Sequence, residues 1–183
     1  MSRTRSIEIT RTVRLPDELK IKRYARNPEL GPRILFFSGG SALRDLSREL
    51  IAYTHNSIHI ITPFDSGGSS AELRRIFSMP AVGDIRNRLM ALADQGLHGN
   101  PEIYDLFAYR LPGDQDAHIL AAELNRIAKG RHPLIAKIPD PMRKIIRNHL
   151  LSFIEMMPPE FNLKGASIGN LVLSAGYLNN RRM

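Results

Sequence analysis

The sequence predicts an α/β protein with parallel strand pairing, and three stretches carry that prediction. Arg33-Ile-Leu-Phe-Phe-Ser-Gly-Gly-Ser-Ala-Leu43 reads as a buried strand, a two-glycine turn and the start of a helix. Ser57-Ile-His-Ile-Ile-Thr62 reads as a second strand, rich in β-branched residues. Between them Leu43, Leu46, Leu50 and Ile51 recur at helical spacing, which predicts a helix with that face inward and Arg44, Asp45, Arg48 and Glu49 wet. Strand, helix and strand make a βαβ unit, hence parallel strands.

Taken in order, the chain begins with a basic arm over residues 1–32, and the core domain runs over 33–183. Ile7, Ile9, Val13 and Leu15 alternate, interrupted by Arg11, which predicts an edge strand. Pro16-Asp-Glu opens a short helical or irregular link that Pro28 and Gly31-Pro32 close. After the second strand, Thr62-Pro-Phe-Asp-Ser-Gly-Gly-Ser-Ser70 forms a loop. Ser69 and Glu72 have capping-box spacing, so a helix is expected from about Ser70 to Phe77. Asp84 reads as the N-cap of a helix over Ile85 to Ala93.

Residues 98 to 157 read as helical almost throughout. Asn100-Pro101 and Asp140-Pro141 each pair a capping residue with proline at the first helical position. The helix over Asp116 to Lys129 closes at Gly130. Pro158-Pro159 ends the block, and a last helix is expected over Ile168 to Leu178.

Composition narrows the function classes. The 183 residues suffice for one domain with a real core. No apolar run is long enough to span a bilayer, the N-terminus lacks the apolar segment of a signal peptide, and a cytoplasmic location is the default expectation. With no cysteine, disulfides, thiolate metal sites and cysteine catalysis are excluded. The net charge is +8, of which residues 1–33 carry nine Lys/Arg against four Asp/Glu, so the basic character belongs mainly to the arm. Only Tyr24 interleaves the basic run Lys20 to Arg26, so a nucleic-acid partner is not expected. No membrane partner is expected either, and self-association into a homo-oligomer is left open. The histidines show no metal-ligand spacing, and no GxSxG elbow exists for serine catalysis.

Chemistry is expected at the two Gly-Gly loops, because ligands of open α/β sheets bind at the carboxyl ends of the strands. A glycine turn leading into a helix presents backbone N–H groups at a positive helix end, a cradle for phosphate, though the same turn also serves as a plain tight connection. Two such loops side by side suit a diphosphate. Asp65 is the only carboxylate on either loop, so Mg²⁺ between it and the phosphates is inferred; a turn-stabilising role is the alternative. Ser41, Ser69 and Ser70 can cap helices or bond phosphate oxygens. Arg86 and Asn87 open a helix after a glycine-containing connector and are favoured as ligand contacts, whereas Arg88 reads equally well as a solvated surface residue. Asn170, after Gly169 in an apolar helix start, needs a partner if buried, from backbone or ligand.

Phe36-Phe-Ser-Gly-Gly-Ser-Ala-Leu43, Thr62-Pro-Phe-Asp-Ser-Gly-Gly-Ser-Ser-Ala-Glu-Leu-Arg74, Pro80-Ala-Val-Gly-Asp-Ile-Arg-Asn-Arg-Leu89 and Ala166-Ser-Ile-Gly-Asn-Leu171, in this order, resemble the CofD/YvcK family. The resemblance implies a Rossmann-like parallel sheet with a large helical insertion that binds nucleotide diphosphates. One branch transfers 2-phospho-L-lactate from a guanosine-diphosphate-activated donor to a deazaflavin with Mg²⁺. The other regulates metabolism or cell-wall synthesis and binds UDP-sugars. It also implies that Gly39, Gly40 and Ser41 line the diphosphate, and that Asp65, Gly67, Gly68 and Ser69 flank the metal or the transferred group. Gly83, Asp84, Arg86 and Asn87 fall on the family's GDIRN stretch and Asn170 on its GN pair, with Asp65 and Arg86 as the catalytic pair. Three departures stand out. Ser41-Ala42 replaces the usual Thr-Gly, Ser66 replaces the second aspartate of the second loop, and the chain is shorter than the family's, which implies a C-terminally incomplete domain. The expected activity is transfer of a phospho-lactyl-type group from a nucleotide diphosphate; a non-catalytic nucleotide-sugar sensor is the alternative.

Overall fold

Two parallel strands, β1 (Ile34–Ser38) and β2 (Ser57–Ile61), pair in register from Ile34 opposite Ser57 to Ser38 opposite Ile61. The structure, a computed structural model, describes residues 6–10, 12, 15–65, 67–94 and 99–181. The helices are α1 (Glu18–Arg26), α2 (Arg44–Leu50), α3 (Gly68–Phe77), α4 (Gly83–Ala91), α5 (Pro101–Ala108), α6 (Ala117–Ala128), α7 (Pro133–Ala136), α8 (Met142–Met156) and α9 (Ile168–Arg181), with a 3₁₀ turn at Pro28–Leu30. This is the α/β class expected. Parallel pairing across the α2 crossover sets the ends of both strands at one edge, so the loops after Ser38 and Ile61 leave side by side.

Entry to the sheet is pinned by side chains. The buried Thr54 hydroxyl donates to the Pro32 carbonyl at 2.7 Å, and Asn56 Nδ2 donates to the carbonyls of Glu29 (2.8 Å) and Gly31 (2.9 Å). The core lies in the helical half. Leu120, Leu124 and Ile127 of α6, Ile146, Leu150 and Phe153 of α8, and Ile168, Leu171 and Ala175 of α9 are buried together. Phe153 meets Phe77 and Phe161 edge-on, with centroids 5.6 and 5.5 Å away, which fixes α3 and the α8–α9 connection to that core.

Several expectations are corrected. Residues 6–10 hold no strand, Ile7 and Ile9 are exposed, and Arg11 and Val13 lie outside the described residues. Alternation alone does not make a strand without a neighbouring ladder, and among the described residues only β1 and β2 form one. β1 is not buried on both sides. The pleat puts Leu35, Phe37, Ile58 and Ile60 on one open face, with Phe37 79% exposed. In α2 the inward residue is Ser47 rather than Leu46.

α3 starts at Gly68 with Gly67 as its cap, and Glu72 serves Arg75 and the Asn162 amide instead of a capping box. α4 is capped by Val82, so Asp84 lies inside its first turn, and α8 is capped by Pro141 instead of Asp140. Residues 101–156 form four separate helices. Asn100 before Pro101 and Gly130 after α6 stand as expected, the latter at φ 77° with its amide on the Ile127 carbonyl.

Candidate functional site

The site is built where the loops after β1 and β2 meet the start of α4. Asp84, in α4's first turn, sits against the first loop: a Cβ placed on Gly40 would lie 3.2 Å from Asp84 Oδ1. The second loop approaches the preceding residue: a Cβ on Gly83 would meet the Ser70 hydroxyl and lie 2.7 Å from Asp65 Oδ2. Only glycine permits that approach. The Ala81 amide on the Pro63 carbonyl (2.9 Å) further ties the connector to the second loop. So the first and second loops both reach the GDIRN helix start, as the sequence motifs suggest.

Arg88 is the surprise. It is 3% exposed, and its guanidinium holds the first loop from behind. Nη1 donates to the Leu43 carbonyl (3.1 Å) and the Ser47 hydroxyl, and Nη2 to the Ala42 carbonyl at 2.5 Å. With those carbonyls engaged, no bond among the described residues takes the amides of Gly40, Ser41 or Ala42. Ser47 stands among Arg44, Asp45, Arg48 and Glu49 in α2, so nothing in the local sequence marked it as a buried partner. The apolar periodicity of α2 drew attention to the leucines instead.

Arg86, 7% exposed, crosses to the other side. Its Nη1 donates to Ser167 and its Nη2 to Asn87 Oδ1 at 2.7 Å. Burial, and then the nearby Arg110, pull its pKa below the ordinary guanidinium value. Both arginines keep a buried Nε–H with no acceptor. Gly40, Ser41, Arg44, Arg86, Asn87 and Arg88 line one cleft of about 240 Å³, which Met90 and Tyr104 help to wall. Three arginines and a glycine loop whose amides no bond among the described residues takes line this cleft, an arrangement with the chemistry to receive an anion. At the cleft mouth, burial pushes the Tyr104 hydroxyl's pKa up, but Arg48 and Arg44 outweigh it and leave it below the usual value.

The remaining predicted residues divide. Gly68 and Ser69 open onto a separate cavity of about 430 Å³ with Arg75, Arg110 and Lys164. Asn170, 2% exposed, donates to the Ser69 hydroxyl at 2.8 Å and keeps a buried Oδ1 without a donor. It therefore ties α9 to α3 instead of lining the first cleft. Asp65 Oδ1 accepts the Gly67 amide at 2.9 Å, the turn-stabilising arrangement, while Oδ2 faces Gly83. Gly39 has open space where a side chain would be. Ser66 lies outside the described residues.

Among the described residues, no three His, Cys, Asp or Glu converge as a metal cage. Asp65 and Asp84 fit an ion of the Mg²⁺ kind only as one or two protein carboxylates supplementing ligand phosphates. No helix of the described residues is long and apolar enough to cross a membrane.

The fold and the cleft define an α/β protein with a glycine- and arginine-lined cleft at the carboxyl edge of its parallel strands. The family model for 2-phospho-L-lactate transferase CofD matches residues 34–181, and the chain belongs to that family. An uncharacterized protein of Saccharomyces cerevisiae is 33% identical over 157 residues, covering 79% of this chain and 33% of that protein. The gluconeogenesis factor of Bacillus subtilis is 40% identical over 85 residues, 46% of this chain and 26% of that protein. A crystal structure of a UPF0052 family member from Bacillus halodurans covers 63% of this chain and 36% of that one, at 30% identity and a TM-score of 0.41. The chain thus spans a third or less of the length of these two curated relatives.

Proposed function

We propose that the chain binds a nucleotide diphosphate through the cleft between the Gly40 loop and α4, and that in the whole protein this cleft holds the donor of a phospho-lactyl-type transfer. The observation that carries the reading is a cleft lined by Arg44, Arg86 and Arg88 with no Asp or Glu among its described lining residues, beside amides of Gly40, Ser41 and Ala42 that no bond among the described residues takes. Arg88 sets the loop's carbonyls away from the ligand, the loop amides hold the diphosphate, and Arg86 balances charge that grows on the leaving oxygen. Asp84, packed against Gly40, and Asp65, packed against Gly83, lie beside the cleft and not in its lining; they would be the protein carboxylates of a Mg²⁺ ion bound with the phosphates, which would supply charge neutralisation. The hydroxyls of Ser41 and Tyr104 line the cleft, but no His, Asp or Glu among its described lining residues would activate either as a nucleophile, which suits direct transfer to a bound acceptor.

A second reading is a non-catalytic sensor of nucleotide-sugars that regulates metabolism or cell-wall synthesis. It is favoured by the 40% identity to the Bacillus subtilis gluconeogenesis factor and by the lone carboxylate left on the second loop's described residues.

Thermal-shift scanning with GDP, UDP and UDP-sugars, with and without Mg²⁺, tests both. A Mg²⁺-dependent rise with GDP supports the donor-site reading. A Mg²⁺-independent rise with UDP-sugars alone supports the sensor. No rise with any nucleotide would defeat both.

A further inference from the structure

We infer that the apolar cavity beside the cationic cleft seats the nucleobase, so that the ligand lies across Tyr104 with its phosphates on the Gly40 loop and its ring between α4 and α5. This rests on the nucleotide-binding reading above and assigns the other end of the ligand. The cleft offers cations, amides and a volume of about 240 Å³, which suits phosphates and little else. A second cavity of about 400 Å³ adjoins it, sharing the side chains of Met90 and Tyr104 as a common wall. Its other walls include Leu89, Ile103 and Phe107, with Asp94 and Asn100 as polar lining, and among the described residues no Lys or Arg lines it. A phosphate gains nothing there, whereas a flat heterocycle buries both faces against aliphatic and aromatic side chains.

The volume falls in the ordinary range of small-molecule pockets, roughly 300–1,000 Å³. Two polar features make it more than a grease patch. Asn100 sits at the N-cap position of α5 yet makes no side-chain capping bond, so its amide can present both a donor and an acceptor to a base edge. Tyr104, whose hydroxyl accepts from Arg48 Nη2 at 3.3 Å, lines both cavities. None of Leu89, Ile103, Phe107, Asn100 or Tyr104 was singled out by the sequence motifs at the two glycine loops.

Isothermal titration of the full chain with inorganic pyrophosphate, GDP and UDP separates the two ends. Pyrophosphate reads the Gly40 cradle alone, and the excess affinity of a nucleoside diphosphate reads the second cavity. The expected excess is about tenfold or more for at least one base. Ala93→Phe, which fills the cavity from its half-buried rim, is expected to abolish the excess while leaving pyrophosphate binding within about twofold, and Gly40→Val to remove both. Should Ala93→Phe lose its folding transition, Leu89→Ser at a half-exposed position reads the same increment, with an expected drop of about threefold. If pyrophosphate binds but GDP and UDP bind no tighter, or if the excess survives the folded cavity variants, the base placement is wrong and the phosphate cradle stands. If neither pyrophosphate nor nucleotide binds, both fail.

Discussion

Arg88 shows how a single side chain shapes a backbone cradle. A peptide loop has as many carbonyls as amides, and it attracts an anion only when the carbonyls are turned away. The guanidinium fork serves several acceptors at once: the Leu43 and Ala42 carbonyls and the Ser47 hydroxyl. Arg88→Ala leaves these acceptors buried without donors, so a loss of about 3 kcal/mol is expected in urea denaturation. Arg88→Lys recovers little of it, because an ammonium lacks the fork. At Gly83 the constraint is steric. Gly83→Ala forces the second loop off α4 by pressing on Asp65 and Ser70, and nucleotide affinity is expected to fall about tenfold in titration with a smaller change in melting temperature. Gly83 was legible in the sequence as part of a motif. Arg88 was not, because nothing in the local pattern of α4 says that its two arginines are both buried, one against the Gly40 loop and α2 and the other against Ser167.

At the scale of elements, the ends marked by Asn100-Pro101 and Gly130 were legible, while the caps of α3, α4 and α8 and the inward faces were not. Pro101 after Asn100 and Gly130 after α6 act through backbone geometry within a few residues, which sequence carries directly. Which face of α2 turns inward depends on α4 lying across it, and only the fold contains that. α9 shows the same dependence. Its first turn packs so tightly that a Cβ on Gly169 would lie 2.8 Å from the Phe107 carbonyl and 2.9 Å from Arg86 Cδ. Gly169→Ala is therefore expected to cost about 1–3 kcal/mol in thermal or urea unfolding by displacing α5 or Arg86.

β2 carries a pH dependence of its own. His59 stacks on Phe36 at 5.1 Å, with Ser38 Oγ 2.8 Å from its Nδ1. Burial, and then the positive charge of Arg88, lower its pKa. A lowered folded value means the unfolded chain binds the proton more readily. Stability is then complete above the ordinary imidazole value of about 6.5 and falls as pH drops through the folded value. Urea midpoints measured between pH 7.5 and 5 are expected to decline for the native chain, and His59→Gln is expected to flatten that decline.

For the molecule as a whole, the helical half closes around a continuous core while the sheet keeps an apolar face open. Parallel strands ordinarily have both faces covered. Leu35, Phe37, Ile58 and Ile60 are each about half exposed or more. Strand existence and parallel pairing were legible from composition and from the length of the crossover. Burial of both faces was expected from the same apolar run, and it fails here because no described element packs over that side. The chain also spans only about a third of its yeast relative. This face is expected to bind an apolar fluorescent dye in the native chain, and Phe37→Lys with Ile60→Lys to reduce that signal at unchanged helix content by circular dichroism.

The central claim is that the Gly40 loop, braced by Arg88 and joined by Arg86, holds the phosphates of a nucleotide. Phosphorus NMR of GDP titrated with the chain tests it most directly, because the phosphates themselves report. The account predicts saturable shifts or broadening of both phosphorus signals that Gly40→Val abolishes. Signals unchanged by the native chain, or changed equally by Gly40→Val, would contradict it.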